Sequence, residues 1–264
     1  MAIPFSLGVS FAASASAGLD DGYRAMYNLE FDAAHRTFAA YARAHPEDPL
    51  APASDAAAWL FAEFDRLHIL QSEFFLHDEN FRRERHLTPD EHVAREFERQ
   101  LAHADDLAER RLRAAPNDSD ALLASVLVLG LRSDYDGLIA EHYLSSLNST
   151  RRSRKLAERL LAVHPDCSDA WVAIGVENYL LSLKPVAVRW FVQMMGNSAD
   201  REYGLAKLRL VAEHGHYLRP FAELLLVVAD LRAGHRDLAR TRLARLATEY
   251  PHNRLYTEEL ARLR

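Results

Sequence analysis

The sequence has one cysteine, Cys167, in 264 residues, so no disulfide can form within the chain and no cysteine-based metal site can be assembled. Glycine and proline number only ten each, which excludes collagen-like and low-complexity chains. Excess positive charge is missing too, because 38 acidic side chains outweigh 32 basic ones and leave a formal net charge of −6. No nucleic-acid partner held through phosphates is expected from such a balance. No run reaches the ~18 consecutive apolar residues of a membrane span, so the chain does not read as an integral membrane protein. G-x-S-x-G, the P-loop and G-x-G-x-x-G are all absent. No stretch alternates with period two for long enough to make a strand.

What is present is helical periodicity on a chain whose residues are 49% hydrophobic and 27% charged, a foldable composition. The opening MAIPFSLGVSFAASASAG ends its apolar run at Ala15-Ser16-Ala17, the small-residue pattern that signal peptidase accepts, but it lacks a positive n-region. Residues 1–18 therefore read either as a signal-like leader or as a flexible or helical start, and exported and cytoplasmic locations both stay open. Residues 19–264 read as a single domain.

Four corners punctuate the chain: AHPEDP at 44–49, AAPNDSDA at 114–121, VHPDCSDA at 163–170 and EYPHNRLY at 249–256. Each follows an amphipathic stretch. A proline stops the preceding helix, and Asp, Asn or Ser just beyond it caps the next. Aligned on Pro46, Pro116, Pro165 and Pro251, the segments place Ala34, Ala104, Ser153 and Ala239 in one register, twelve residues upstream. A small residue at each suggests close approach of paired helices.

Elsewhere the pattern predicts helices over Ser54–Phe75, from a Thr88-Pro89-Asp90-Glu91 capping box to about Ala114, and over Asp118–Leu131 and Gly137–Leu147, with Ser133-Asp134-Tyr135-Asp136 as the turn between them. A polar loop, HDENFRRERHL, separates the first two. Asn148-Ser149-Thr150 reads as the cap of a helix ending at Val163. Further helices follow over Ser168–Leu181, Pro185–Met195, Ser198–Glu213, Tyr217–Ala233 and His235–Tyr250, and after Asn253.

Ala34, Phe38 and Pro46 match the A-x3-F…P half of the tetratricopeptide repeat, and Trp171, Ile174 and Gly175 match its W-x2-[LI]-G half, with Asn178 where the pattern has Tyr. The chain thus resembles the tetratricopeptide-repeat family. Its C-terminal third, GVENYLLSLKPVAVRWFVQMMGNSADREYGLAKLRLVAEHGHYLRPFAELLL, resembles a divergent branch that includes the eukaryotic inclusion-body clearance protein of mitochondria and lipid droplets, through the Leu-Ser-Leu-x-Pro step, Asp200-Arg201 and Gly204-Leu205.

The resemblance implies an all-α, tetratricopeptide-like α-solenoid of antiparallel helix hairpins with insertions and no β-sheet. It also implies that Leu19, Tyr23, Met26 and Tyr27 from the first copy, and Val172, Val176, Tyr179 and Leu180 from the third, line a concave face, with Leu123, Leu127 and Leu131 between them. Lys, Arg and Asn clamps for a peptide carboxylate are missing there. An apolar concave face either takes an apolar guest or is filled by the chain itself. The candidate filler is Pro185–Met195, which carries Trp190 and is apolar on nearly all sides.

Chemistry-bearing residues are scattered. The thirteen histidines include neighbours such as Glu73 with His77 and His86 with Asp90, but no HExxH-type pair, so no metal or other cofactor is expected. Cys167 lies in a corner without a catalytic signature. Asp200 favours the dipole at the start of a helix, and Asp200 with Arg201 is the charged pair of interest. Basic clusters stand at Arg82–Arg85 and Arg151–Lys155. The expectation is a non-enzymatic scaffold that binds a protein or peptide segment on its concave face. The alternatives are an apolar-ligand or membrane-surface (lipid-contacting) protein and a hydrolase with a His/carboxylate site.

Overall fold

A computed structural model describes residues 10–70, 87–182 and 200–263, with side chains from residue 18 onward. Among the described residues there are eleven α-helices and no strand. They are α1 (Ser10–Tyr27), α2 (Phe31–Ala44), α3 (Leu50–Arg66), α4 (Glu91–Ala114), α5 (Ser119–Leu138), α6 (Tyr143–Val163), α7 (Trp171–Ser182), α8 (Arg201–His214), α9 (Arg219–Arg232), α10 (Arg236–Glu249) and α11 (Arg254–Arg262). They pair as hairpins α1/α2, α3/α4, α5/α6, α7/α8 and α9/α10, each packed on the next, and α11 packs on α10. No helix of the described residues is long and apolar enough to cross a membrane.

The second helix of every hairpin is built to one pattern. Ala34, Ala104, Ser153, Gly204 and Ala239 all stand ten residues before the last residue of their helix, and all five are buried. In four of these helices the buried stripe continues at i+4 and i+7, as Phe38 and Tyr41, Ala157 and Leu160, Leu208 and Val211, and Leu243 and Leu246. Such a stripe covers one face only and leaves the rest to solvent. First helices differ: α5 is buried continuously from Ala121 to Leu129 and forms part of an inner layer.

Close approach explains the small residues. A Cβ on Gly204 of α8 would lie 2.7 Å from the Tyr179 amide nitrogen and 2.9 Å from the Gly175 carbonyl oxygen of α7. A Cβ on Gly175 would in turn meet Leu208 at 3.0 Å and the Gly204 carbonyl at 3.1 Å. The two backbones touch, so neither position accommodates a side chain. In α6 the Ser153 hydroxyl serves the same approach by donating to the Val126 carbonyl of α5 at 2.9 Å.

The four proline corners join hairpin to hairpin, each proline following the capping residue of the helix before it, namely His45, Ala115, His164 and Tyr250. Asp48, Asp118 and Asn253 then accept backbone N–H bonds at the starts of α3, α5 and α11. A fifth corner, between α8 and α9, has no proline. Its backbone is held from a distance by the buried Asp169, whose carboxylate accepts from the amides of His216 (2.8 Å), Tyr217 (2.8 Å) and Leu218 (3.2 Å).

Several expected boundaries are corrected. Ser133–Asp136 is not a turn, because α5 runs on to Leu138 and the chain reverses around Glu141, which takes a left-handed φ of 58°. α6 begins at Tyr143, so Asn148-Ser149-Thr150 lies inside it. The turn-forming residues are helical because they satisfy one another across the hairpin: Ser133 Oγ bonds Thr150 Oγ1 at 2.7 Å and Ser146 Oγ at 3.1 Å. α3 spans Leu50–Arg66 rather than Ser54–Phe75, and His68 beyond it is left-handed at φ 57°. Asp90, not Thr88, caps α4 by accepting from His92 and Val93 N–H. The Arg151–Lys155 cluster sits within α6, where Arg154 pairs with Glu158 and with the buried Glu177. α1 reaches back to Ser10, so residue 18 falls within a helix. The loop expected over 77–87, the Arg82–Arg85 cluster and the Pro185–Met195 helix fall outside the described residues, save Leu87 at the loop's end.

The array also closes on itself. Asn253 Nδ2 donates to the Tyr27 carbonyl at 2.8 Å, the His252 amide donates to Asn28 Oδ1 at 3.1 Å, and Arg254 reaches Asp65 at 2.9 Å. Residues at the last corner and in α11 thus hold the α1–α2 turn and the end of α3. Inside this closure Tyr23 stacks on Tyr217 with centroids 4.8 Å apart, and Tyr27 meets Tyr250 at 5.6 Å.

Candidate functional site

The residues expected on the concave face are brought together, but as an interior. Tyr23, Met26, Tyr27, Leu123, Leu127, Val172 and Tyr179 are all buried, and Val176 is partly buried. Leu180 instead faces out, 45% exposed. Six of these eight, Tyr23, Met26, Tyr27, Leu127, Val172 and Val176, line a cavity of about 90 Å³ together with Leu131. Leu123 and Tyr179 do not reach it. Trp190 lies outside the described residues. Asp200 and Arg201 stand away from the cavity: Asp200 caps α8 by accepting from the Tyr203 amide at 3.0 Å, and Arg201 is the exposed first residue of that helix.

Each first helix contributes to the lining. α1 supplies Tyr23, Met26 and Tyr27, α3 supplies Ala57 and Phe61, α7 supplies Val172, Ala173 and Val176, and α9 supplies Phe221, with Leu218 just before it. Two phenols are already committed, Tyr27 donating to the Tyr217 carbonyl at 3.0 Å and Tyr23 accepting from Ser54 Oγ at 3.0 Å. Burial and neighbouring charge push both phenols above their usual range, so they remain protonated. α5 gives the longest edge, Val126, Leu127, Gly130, Leu131, Ser133 and Asp134.

Asp134 is the anomaly in this lining. Its carboxyl is partly buried and has no hydrogen-bond or ion-pair partner among the described residues, and partial loss of water pushes it up to about 7. The hydroxyls of Ser133 and Thr150 share its end of the cavity but bond to each other. Gly130, one turn earlier on the same helix, faces open space: a Cβ there meets nothing within 4 Å among the described residues. Sequence reading missed both residues. The available signal was an ionisable group one turn beyond Gly130 and next to Ser133, but a Ser-Asp-Tyr-Asp-Gly string imitates a turn so well that it masks a helix face.

A second, wider hollow of about 640 Å³ opens at the α2–α3 corner, lined by Leu19, Tyr41, His45, Asp48, Arg111, Asp120 and Tyr217 among others. Its charged groups are mutually engaged: Arg111 bonds Asp118 at 2.9 Å and Asp120 at 3.4 Å, and Tyr41 donates to Asp48 at 2.6 Å. Sequence reading also missed the pair His35 Nδ1 and Asp55 Oδ1, 2.6 Å apart, with Gln100 donating to the other carboxylate oxygen. No hydroxyl or thiol bonds His35 among the described residues, so the pair lacks a nucleophile. Burial and the Asp169 charge push the Cys167 thiol up to about 11, leaving little thiolate at neutral pH. No group of three or more His, Cys, Asp and Glu side chains among the described residues could hold a metal ion.

The fold and cavity define an all-helical array of antiparallel hairpins closed around a small, mostly apolar interior. In sequence the chain matches no protein-family model and no curated protein.

Proposed function

We propose that this chain is a non-enzymatic, tetratricopeptide-like binding protein whose ligand places a short apolar group in the cavity between its first helices. The observation that carries the reading is Gly130. A mid-helix glycine costs roughly 0.5–1 kcal/mol relative to alanine, and here no close approach among the described residues requires it, because its Cβ position faces an open space between them. Stability given up at a void, with aromatic and aliphatic walls around it, suits a site kept vacant for a guest. At about 90 Å³, the space equals some three waters at roughly 30 Å³ each. That admits a chain of about four carbons.

A partner segment laid along the concave face fits less well, since the side chains it would touch are buried among themselves. The test is native mass spectrometry of the purified full chain. Wild-type protein is expected to carry a small adduct that Gly130→Leu, which fills the void, does not. Identical spectra free of any adduct from both proteins would count against the reading.

A further inference from the structure

Resting on the cavity reading above, we infer that the ligand is a short-chain alkylamine, bound as its ammonium ion with the hydrocarbon against Met26 and Leu127 and the cation on the Asp134 carboxylate. The apolar walls set only a size. Asp134 sets the chemistry, because its carboxylate has no partner among the described residues while the neighbouring hydroxyls of Ser133 and Thr150 are paired with each other. A partly buried carboxylate without a partner at the edge of an apolar space draws a cation, and a cation delivered on a hydrocarbon stem also recovers the contacts that the void forgoes.

Among the described residues, other charges do not compete for the position. On α5 itself, Arg132 turns to Glu98 at 3.3 Å and Asp136 accepts from Ser145 at 2.6 Å. On α6, the Arg151 charge counters the effect of burial on the Glu177 carboxylate. Among the described residues, α1 brings only the protonated phenols of Tyr23 and Tyr27, and α3, α7 and α9 bring no ionisable side chain to the lining.

Calorimetric titration of the full chain with n-butylammonium chloride and, separately, with n-butanol tests the inference. At pH 8 the ammonium ion is expected to bind at least tenfold tighter than the alcohol. At pH 5.5, where Asp134 is protonated, that preference should vanish. Asp134→Asn should keep n-butanol binding and lose the preference for the ammonium ion at either pH. If n-butanol binds and the ammonium ion binds no tighter at pH 8, the inference fails while the cavity reading stands. If neither probe binds, both fail. A preference that survives in Asp134→Asn overturns the assignment of Asp134, and n-butanol binding by that variant shows that it has folded around the same cavity.

Discussion

Two places where the chain uses glycine show opposite reasons for doing so. At the α7–α8 crossing, Gly175 and Gly204 bring two backbones into contact, and a single added carbon would meet main-chain atoms at 2.7–3.1 Å. In α5, Gly130 stands at a similar mid-helix position, yet an added carbon would meet nothing within 4 Å among the described residues. The first glycines are required by packing. The second is not, and at Gly130 the helix is weakened beside a void. The difference separates what holds the array together from what the array holds open.

The architecture around the first pair should be the least tolerant. Asp169→Ala removes the acceptor shared by three corner amides; leaving buried N–H groups unpaired at about 1–3 kcal/mol each predicts a loss of roughly 3–5 kcal/mol, read by chemical denaturation. Asp169→Asn, which can still accept, should recover part of it. Gly204→Ala forces the crossing apart and should lose roughly 2–3 kcal/mol, with the denaturant slope unchanged if the array still unfolds as one unit.

The cavity side should respond in the other direction. Asp134 has a folded-state value near 7, above its ordinary unfolded value of ~3.9. The folded protein therefore holds this proton more tightly, and stability is lost as pH rises from about 4 through 7. Asp134→Asn should remove that dependence and stabilise the protein at pH 8 by roughly 2–4 kcal/mol, while changing little at pH 4. Smallest of all, Gly130→Ala should raise stability by about 0.5–1 kcal/mol. A loss there as large as that of Gly204→Ala would erase the contrast between the two sites.

The same contrast explains what the sequence disclosed. Second helices announce themselves because one solvent-facing side must stay polar, so Ala34, Ser153 and Ala239 stand out at fixed distance from their corner prolines. The fifth copy was hidden only by its corner, which has Gly215 and a remote carboxylate in place of proline; Gly204 holds the same register. First helices are buried almost all round, and an inward-facing residue there has no polar opposite face to mark its orientation. Tyr23, Met26 and Tyr27 could be placed on the concave side through the repeat pattern. Whether that side was open could not, because closure depends on pairs such as Asn253 with Tyr27, more than two hundred residues apart. Asp134 escaped for a local reason: Ser133 and Thr150 satisfy each other between helices, and polar residues that do so look in sequence like a turn.

The most direct test of a cavity kept open is the methyl resonance of Met26, whose side chain lines it, followed in the wild type and in Gly130→Leu as n-butanol is added. The account predicts a saturable shift of this resonance in the wild type and none in a folded Gly130→Leu variant. An unshifted Met26 methyl in the wild type, or an equal shift in both proteins, would contradict it.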